Sequence, residues 1–257
     1  MPLISNIRST RLAPVNKQSV LQMPTKTRQA VTKSTVKTIM SQSGASPQAA
    51  SPQSVRTNPT PVHTTNAQVL RSKPRNFGNG VLANKGQKIS LNGATRINIC
   101  AGWEIKDIRC DVDISAFMLD ASRKIISDEW FVFYGQTNSP DNSLQLNCNG
   151  TPNDDKCISA NLAMVNNNVS RIVFVLTIDE AESQRLNFSM IDKAYIRILD
   201  GNNEIIRFML HDYYDTVTAM MLGELYRHNG EWKFSAIGDG VKKDLGGLCE
   251  MYGVQTE

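Results

Sequence analysis

The sequence predicts an all-β dominated body, a two-sheet β-sandwich with short flanking helices, preceded by a disordered basic N-terminal tail. Short apolar stretches separated by Asn, Asp, Gly and Ser recur from Gly78 onward, the punctuation of antiparallel strands. Two Gly-containing dipeptides, Asp200-Gly201 and Asn229-Gly230, stand between alternating apolar runs, where tight hairpins turn. Charge divides the chain at the same boundary. Met1 to Phe77 carries eleven basic residues and no Asp or Glu. Of the 28 Lys and Arg in the chain this leaves 17 against all 24 acidic residues, a formal charge of −7 beyond Phe77. The expected division is therefore 1–77 as tail or linker and 78–257 as the sandwich domain.

The expected strands are Lys88–Leu91, Arg96–Ala101, Cys110–Leu119, Trp130–Tyr134, Ser143–Leu146, Cys157–Leu162, Arg171–Ile178, Ala194–Leu199, Glu204–Leu210, Ala219–Tyr226 and Trp232–Ile237. So many short strands suit two packed sheets. Asn229-Gly230 tolerates the positive φ of a type I′ turn between GELYRH and EWKFSAI, and Asp200-Gly201 begins the link from YIRIL to EIIRFML. Glu180–Phe188 and Val241–Tyr252 read as helices, the latter with Leu245, Leu248 and Cys249 on one apolar face.

In the basic tail, Ser41–Pro61 is rich in Ser, Pro and Gln, so it buries little and resists helix. Lys26–Met40 is either a short basic helix on an anionic surface or a solvated linker. The acid-free start also has the composition of an organelle transit peptide, interrupted by Pro2, Pro14 and Pro24. Eleven positive charges attract nucleic acid or an anionic membrane weakly and with steep salt dependence, yet no readout signature accompanies them. No apolar run is long enough to span a bilayer, and no secretory leader is evident. Five cysteines, odd in number and without a CxxC pair, do not form a secreted disulfide framework. A cytoplasmic protein, peripherally membrane-associated at most, is the expectation.

Enzyme motifs are absent from the sequence: there is no HExxH, GxSxG or GxxxxGK[ST], and His63, His211 and His228 are scattered. Gly78-Asn79-Gly80 fits only the loosest dinucleotide fingerprint and lacks a preceding strand. His211 beside Asp212 suits the end of a strand better than acid/base work, and Trp103, Trp130 and Trp232 suit packing. The chain is expected not to be an enzyme. Oxygen donors gather at two places instead. Asp111–Leu119 alternates, placing Val112, Ile114, Ala116 and Met118 on a core face, with Asp111 and Asp113 opposite them, either solvated or bridged by a cation. The loop Asn147–Asp155 holds Asn149, Asp154 and Asp155 around Gly150 and Pro152, without EF-hand spacing. Cys148 and Cys157 flank that loop, as inert small hydrophobes or as a redox latch.

From about Val81 to Val254 the chain resembles the TerD family of tellurium-resistance and stress-response proteins. The resemblance is carried by WEIKDIRCDVDISAFMLD (Trp103–Asp120), SDEWFVFYGQTNSPDNS (Ser127–Ser143) and DEAESQRLNF (Asp179–Phe188). It continues through AYIRI (Ala194–Ile198), TAMMLGELYRHNGEWKFSAIGDG (Thr218–Gly240) and LGGLCEMYGV (Leu245–Val254). It implies a calcium-binding β-sandwich in the cytoplasm that acts in tolerance to tellurite and other stresses, with no catalysis implied; docking to other tellurite-resistance or stress-response proteins is the expected mode of action. By position, the implied ligands are Asp111, Asp113, Asn149, Asp154 and Asp155. Against the family pattern the loop is about four residues shorter, Cys148-Asn149 stands where an acidic pair is expected, and Lys156 replaces a glutamate. Each change removes negative charge from the implied calcium site.

Overall fold

The computed structural model describes residues 75–212 and 215–255. In chain order the strands are β1 (Val81–Ala83), β2 (Lys88–Ser90), β3 (Arg96–Ile105), β4 (Val112–Leu119), β5 (Phe131–Val132), β6 (Leu144–Asn147), β7 (Lys156–Asn161), β8 (Arg171–Ile178), β9 (Ile191–Asp200), β10 (Asn203–Met209), β11 (Ala219–His228) and β12 (Glu231–Val241). Among the described residues the α-helices are α1 (Ala181–Gln184) and α2 (Leu245–Tyr252). Two six-stranded sheets form, ordered β1-β10-β9-β3-β7-β6 and β2-β12-β11-β8-β4-β5. All pairings are antiparallel except β1 with β10. Except for Arg75–Phe77, the basic segment lies outside the described residues, including Lys26–Met40 and Ser41–Pro61.

Each of the eleven expected strands is present, and Arg171–Ile178 coincides with β8 end to end. β1 was not expected: three residues show no periodicity, and only parallel pairing with β10 makes them a strand. β3 runs on to Ile105 and β12 to Val241, because partners on β9 and β11 continue their ladders. The expected helix over Glu180–Phe188 shrinks to α1, ended by Arg185 in the left-handed region at φ 55°, and a 3-10 turn at Phe188–Met190. Asn229 and Gly230 adopt φ 52° and 81° between β11 and β12, as a type I′ turn requires. Gly201 turns β9 into β10 at φ 59°.

Alternation on β4 buries Val112, Ile114, Ala116 and Met118 between the sheets. Strand β8 is continuously apolar because both of its faces are covered; Ile172 to Leu176 are at most 1% exposed. On the far face of the second sheet, α2 lays the Tyr252 ring 4.6 Å from that of Phe117, which stacks on Phe131 at 4.3 Å. The helix starts where the Asp244 carboxylate accepts from the Gly247 amide at 2.7 Å, and stops at Gly253, φ 86°. Among the described residues no helix is long and apolar enough to cross a membrane.

Candidate functional site

Register across the first sheet places Arg207 of β10 opposite Arg197 of β9, Arg197 opposite Cys100 of β3, and Cys100 opposite Cys157 of β7. Directly paired residues point to one face, so these four form a row on the side away from the sandwich interior. Tyr195, two residues before Arg197, lies on the same side. Two segments cover the row: the loop 148–155 between β6 and β7, and the segment 75–80 that leads into β1.

The loop delivers Asp154. Thr151 Oγ1 accepts from the amides of Asn153 and Asp154 at 3.2 and 3.0 Å, closing a turn that aims the Asp154 carboxylate at the sheet. There it accepts from Arg197 Nε at 2.8 Å and Nη2 at 2.7 Å, and from Thr151 Oγ1 at 2.7 Å. Asp154 is wholly buried. Asp155 Oδ2 takes the Trp103 amide at 2.9 Å and Arg75 Nη2 at 2.6 Å. Gly150, at φ 62°, lets the loop fold back on itself, since a Cβ there would strike the carbonyls of Asp154 and Asp155.

The entering segment is held equally closely. Arg75 donates to the carbonyls of Asn153 and Trp103 at 2.7 and 2.6 Å and to the Tyr195 hydroxyl at 3.0 Å. That hydroxyl lies 2.8 Å from the Asn153 carbonyl and 2.9 Å from Asp154 Oδ1, and its single proton serves one or the other. Gly102 makes the arrangement possible, because a Cβ at that position would collide with the Arg75 guanidinium and the Tyr195 hydroxyl. Phe77 meets Tyr195 edge-on and lies under the Arg207 guanidinium, 4.2 Å from its ring centre. Glu204 accepts from the Gly78 amide and from Arg197 Nη1, and its other oxygen lies 3.0 Å from Arg207. Gly78 and Gly80 approach Glu204 so closely that a Cβ on either would sit 2.8 Å from it. The absence of a side chain at both positions is what permits this close packing. The packed body thus includes Arg75, Asn76 and Phe77, which charge alone grouped with the tail.

Burial opposes the charge on Arg197, but Asp154 and then Glu204 outweigh it and hold the guanidinium above its ordinary range. Burial likewise opposes Arg75, and Asp155 and Tyr195 overcome it. Burial, and next the charge of Asp154, push the Tyr195 phenol well above its usual value. Elsewhere, burial followed by the nearby carboxylates of Asp128, Asp244 and Glu250 pushes the Cys249 thiol up to about 12, leaving it inert.

The expected ligand residues are brought together only in part. Asp113 reaches the start of β7, yet its partner there is Lys156, whose Nζ stands 3.0 Å from Asp113 Oδ1. Asp111 and Asn149 are exposed. Asp113, Asp154 and Asp155 are thus each engaged by a cation of the chain itself. With Glu204 they make four carboxylates against Arg75, Arg197, Arg207 and Lys156, a formally neutral set. Calcium wants about six to eight accessible oxygens, and this donor set, with guanidinium and ammonium groups on its carboxylates, does not fit it as arranged.

Cys157 is joined in a disulfide to Cys100, 57 residues earlier, while Cys148 is a free, half-buried thiol. A latch between Cys148 and Cys157 is therefore not formed, because the partner of Cys157 is Cys100. A pairing between strands distant in sequence is set by register, which spacing does not reveal. Sequence reasoning also passed over Arg75, Tyr195, Arg197 and Glu204. Arg197 had a signal: a charge in the middle of an apolar strand needs a buried partner. His211 and Asp212 are exposed just beyond β10, beside a cavity of about 70 Å³ with Lys85 and Phe208. Trp103 and Trp130 are core residues, and Trp232 lies beneath Arg227 at 4.6 Å.

A family model described as TerD domain matches residues 81–252. General stress protein 16U of Bacillus subtilis (strain 168) is 38% identical over 186 residues, 67% of this chain and 96% of that protein. Tellurium resistance protein TerD of Serratia marcescens is 36% identical over 189 residues, 68% of this chain and 98% of that protein. A solved homologue of telluride resistance protein (TerD) from Streptomyces coelicolor A3(2) is 15% identical with a TM-score of 0.49, covering 64% of this chain and all of that one.

Proposed function

Because this chain belongs to the TerD family of tellurium-resistance and stress-response proteins, we propose that it is a non-enzymatic docking module of such a tolerance system and works without a resident calcium ion. The observation that carries the second half is the engagement of Asp113, Asp154 and Asp155 by Lys156, Arg197 and Arg75. A docking surface needs a face held in one shape, and here fixed side-chain cations take up the negative charge that an ion would otherwise bridge. Partners are other proteins of tellurite and stress tolerance. The acid-free basic segment favours an added electrostatic tether to nucleic acid or an anionic membrane.

The test is a calorimetric titration of calcium into the chelator-treated full-length protein, with magnesium as control, beside thermal melts in the same buffers. We expect no calcium-selective heat and an unchanged melting temperature at about millimolar ion. A calcium-specific rise in melting temperature would overturn the ion-free reading. The tolerance role is checked separately, by expressing the chain in a tellurite-sensitive bacterium; growth no better than with empty vector would count against it.

A further inference from the structure

We propose that Cys100 and Cys157 form a thiol–disulfide lock whose reaction with small thiols is governed by the two segments lying over it. This rests on the site geometry and stands apart from the docking reading. Both cysteines occupy the outward face of the first sheet, in line with Arg197, yet they are only 1% and 4% exposed. The sandwich interior does not bury them. Their cover is local: the Asp154 carboxylate lies within 4.8 Å of both sulfurs, and Arg197, Tyr195 and Arg75 hold that carboxylate and its loop in place.

Exchange requires a thiolate to reach one sulfur of the bond along the S–S axis. Two molecules of a monothiol such as glutathione balance the reduction. The first attacks one sulfur, giving a mixed disulfide and releasing the other cysteine as a thiolate, which takes a proton. The second attacks the mixed disulfide, releasing the second cysteine thiolate and leaving glutathione disulfide. Two electrons pass to the protein and its two thiolates take up two protons. The reverse reaction, driven by glutathione disulfide, restores the bond. Neither direction proceeds while Asp154 and its loop lie over the sulfurs, so the cover must first open.

The coupling runs both ways. The bond ties β3 to β7 at the residue where Cys157 faces Asn147 of β6, the root of the covering loop. Oxidation therefore fixes the base from which the loop springs, and reduction loosens it. By linkage, whatever steadies the cover also protects the bond. Arg75 is the chief latch, since its four contacts join the entering segment, the loop, β3 and β9.

The experiment uses the full-length protein, oxidised with glutathione disulfide, then exposed to reduced glutathione in native buffer. Aliquots are quenched in acid, unfolded, alkylated with N-ethylmaleimide and weighed by mass spectrometry. The oxidised protein should show three adducts, on Cys110, Cys148 and Cys249, and the reduced protein five. Arg75→Gln should be reduced about tenfold faster than the parent, as loss of roughly 1.4 kcal/mol of cover stability predicts. Tyr195→Phe, which keeps the ring and loses the hydroxyl contacts, should shift the rate in the same direction. In denaturing urea all three proteins should react alike. Five adducts after treatment with glutathione disulfide would show that the pair does not form the bond. Native-buffer rates for both variants equal to the parent's would show that the cover does not control it.

Discussion

Replacing Arg197 with methionine removes the cation on which two buried carboxylates converge. The side chains of Asp154 and Glu204 are 0% and 1% exposed, and Arg197 contacts them at 2.7 and 3.1 Å. Methionine fills much of the volume but supplies no donor. Asp154 then keeps only Thr151 and Tyr195 among its named partners, while Glu204 keeps Arg207 and the Gly78 amide. Removing one member of a buried pair costs about 3–5 kcal/mol, because a charge is left in a poorly polarisable site. For a body of this size each kcal/mol lowers the melting temperature by roughly 2–4 °C, giving an expected loss of about 6–20 °C. Calorimetric melts of the full-length protein at neutral pH measure it. Adding Asp154→Asn should restore part of the loss, since the amide carries no charge to strand. A variant melting within about 2 °C of the parent would refute the reasoning, as would a double variant whose loss is simply the sum of the two single losses.

Gly102→Ala should lower stability by about 1–3 kcal/mol in denaturant unfolding, since its methyl group displaces Arg75 or Tyr195, and should also speed glutathione reduction of the disulfide. At Asp141 burial favours the neutral form, but donors on Ser143, Ser139 and Asn166 prevail and hold the carboxyl below its usual range. A depressed value contributes stability above about pH 4 that is lost as pH falls through the folded value, so Asp141→Asn should be less stable than the parent at neutral pH and should converge with it in acid. The raised phenol of Tyr195 works at the other end: its contribution is complete below about pH 10 and is lost as pH rises towards the folded value. Tyr195→Phe should flatten the alkaline limb of a melting-temperature profile. Phe117→Ala, emptying the stack between Phe131 and Tyr252, should cost about 3–5 kcal/mol in the same unfolding assay.

Much of the fold was legible because strands and turns obey local rules. Period-two alternation marked β4, an uninterrupted apolar run marked β8, and Asn229-Gly230 marked the β11–β12 hairpin. The candidate site was only half legible. Aspartates on a strand and in a loop could be located, and Lys156 could be seen to remove charge, but sequence does not say what a carboxylate faces. The cationic partners of Asp154 and Asp155 come from β9 and from a segment ahead of β1, some 40 and 80 residues away along the chain.

The chain by itself thus determined all its described strands but β1, its hairpins, its sandwich class and its family, since each is written in periodicity, turn chemistry or contiguous motif. Only the tertiary structure decided that Arg197 faces Asp154, that Cys157 bonds Cys100 instead of Cys148, and that Arg75 belongs to the packed body. Those outcomes depend on strand register and loop cover, which hold distant residues within hydrogen-bonding range; no local pattern encodes which of many possible partners will be brought there.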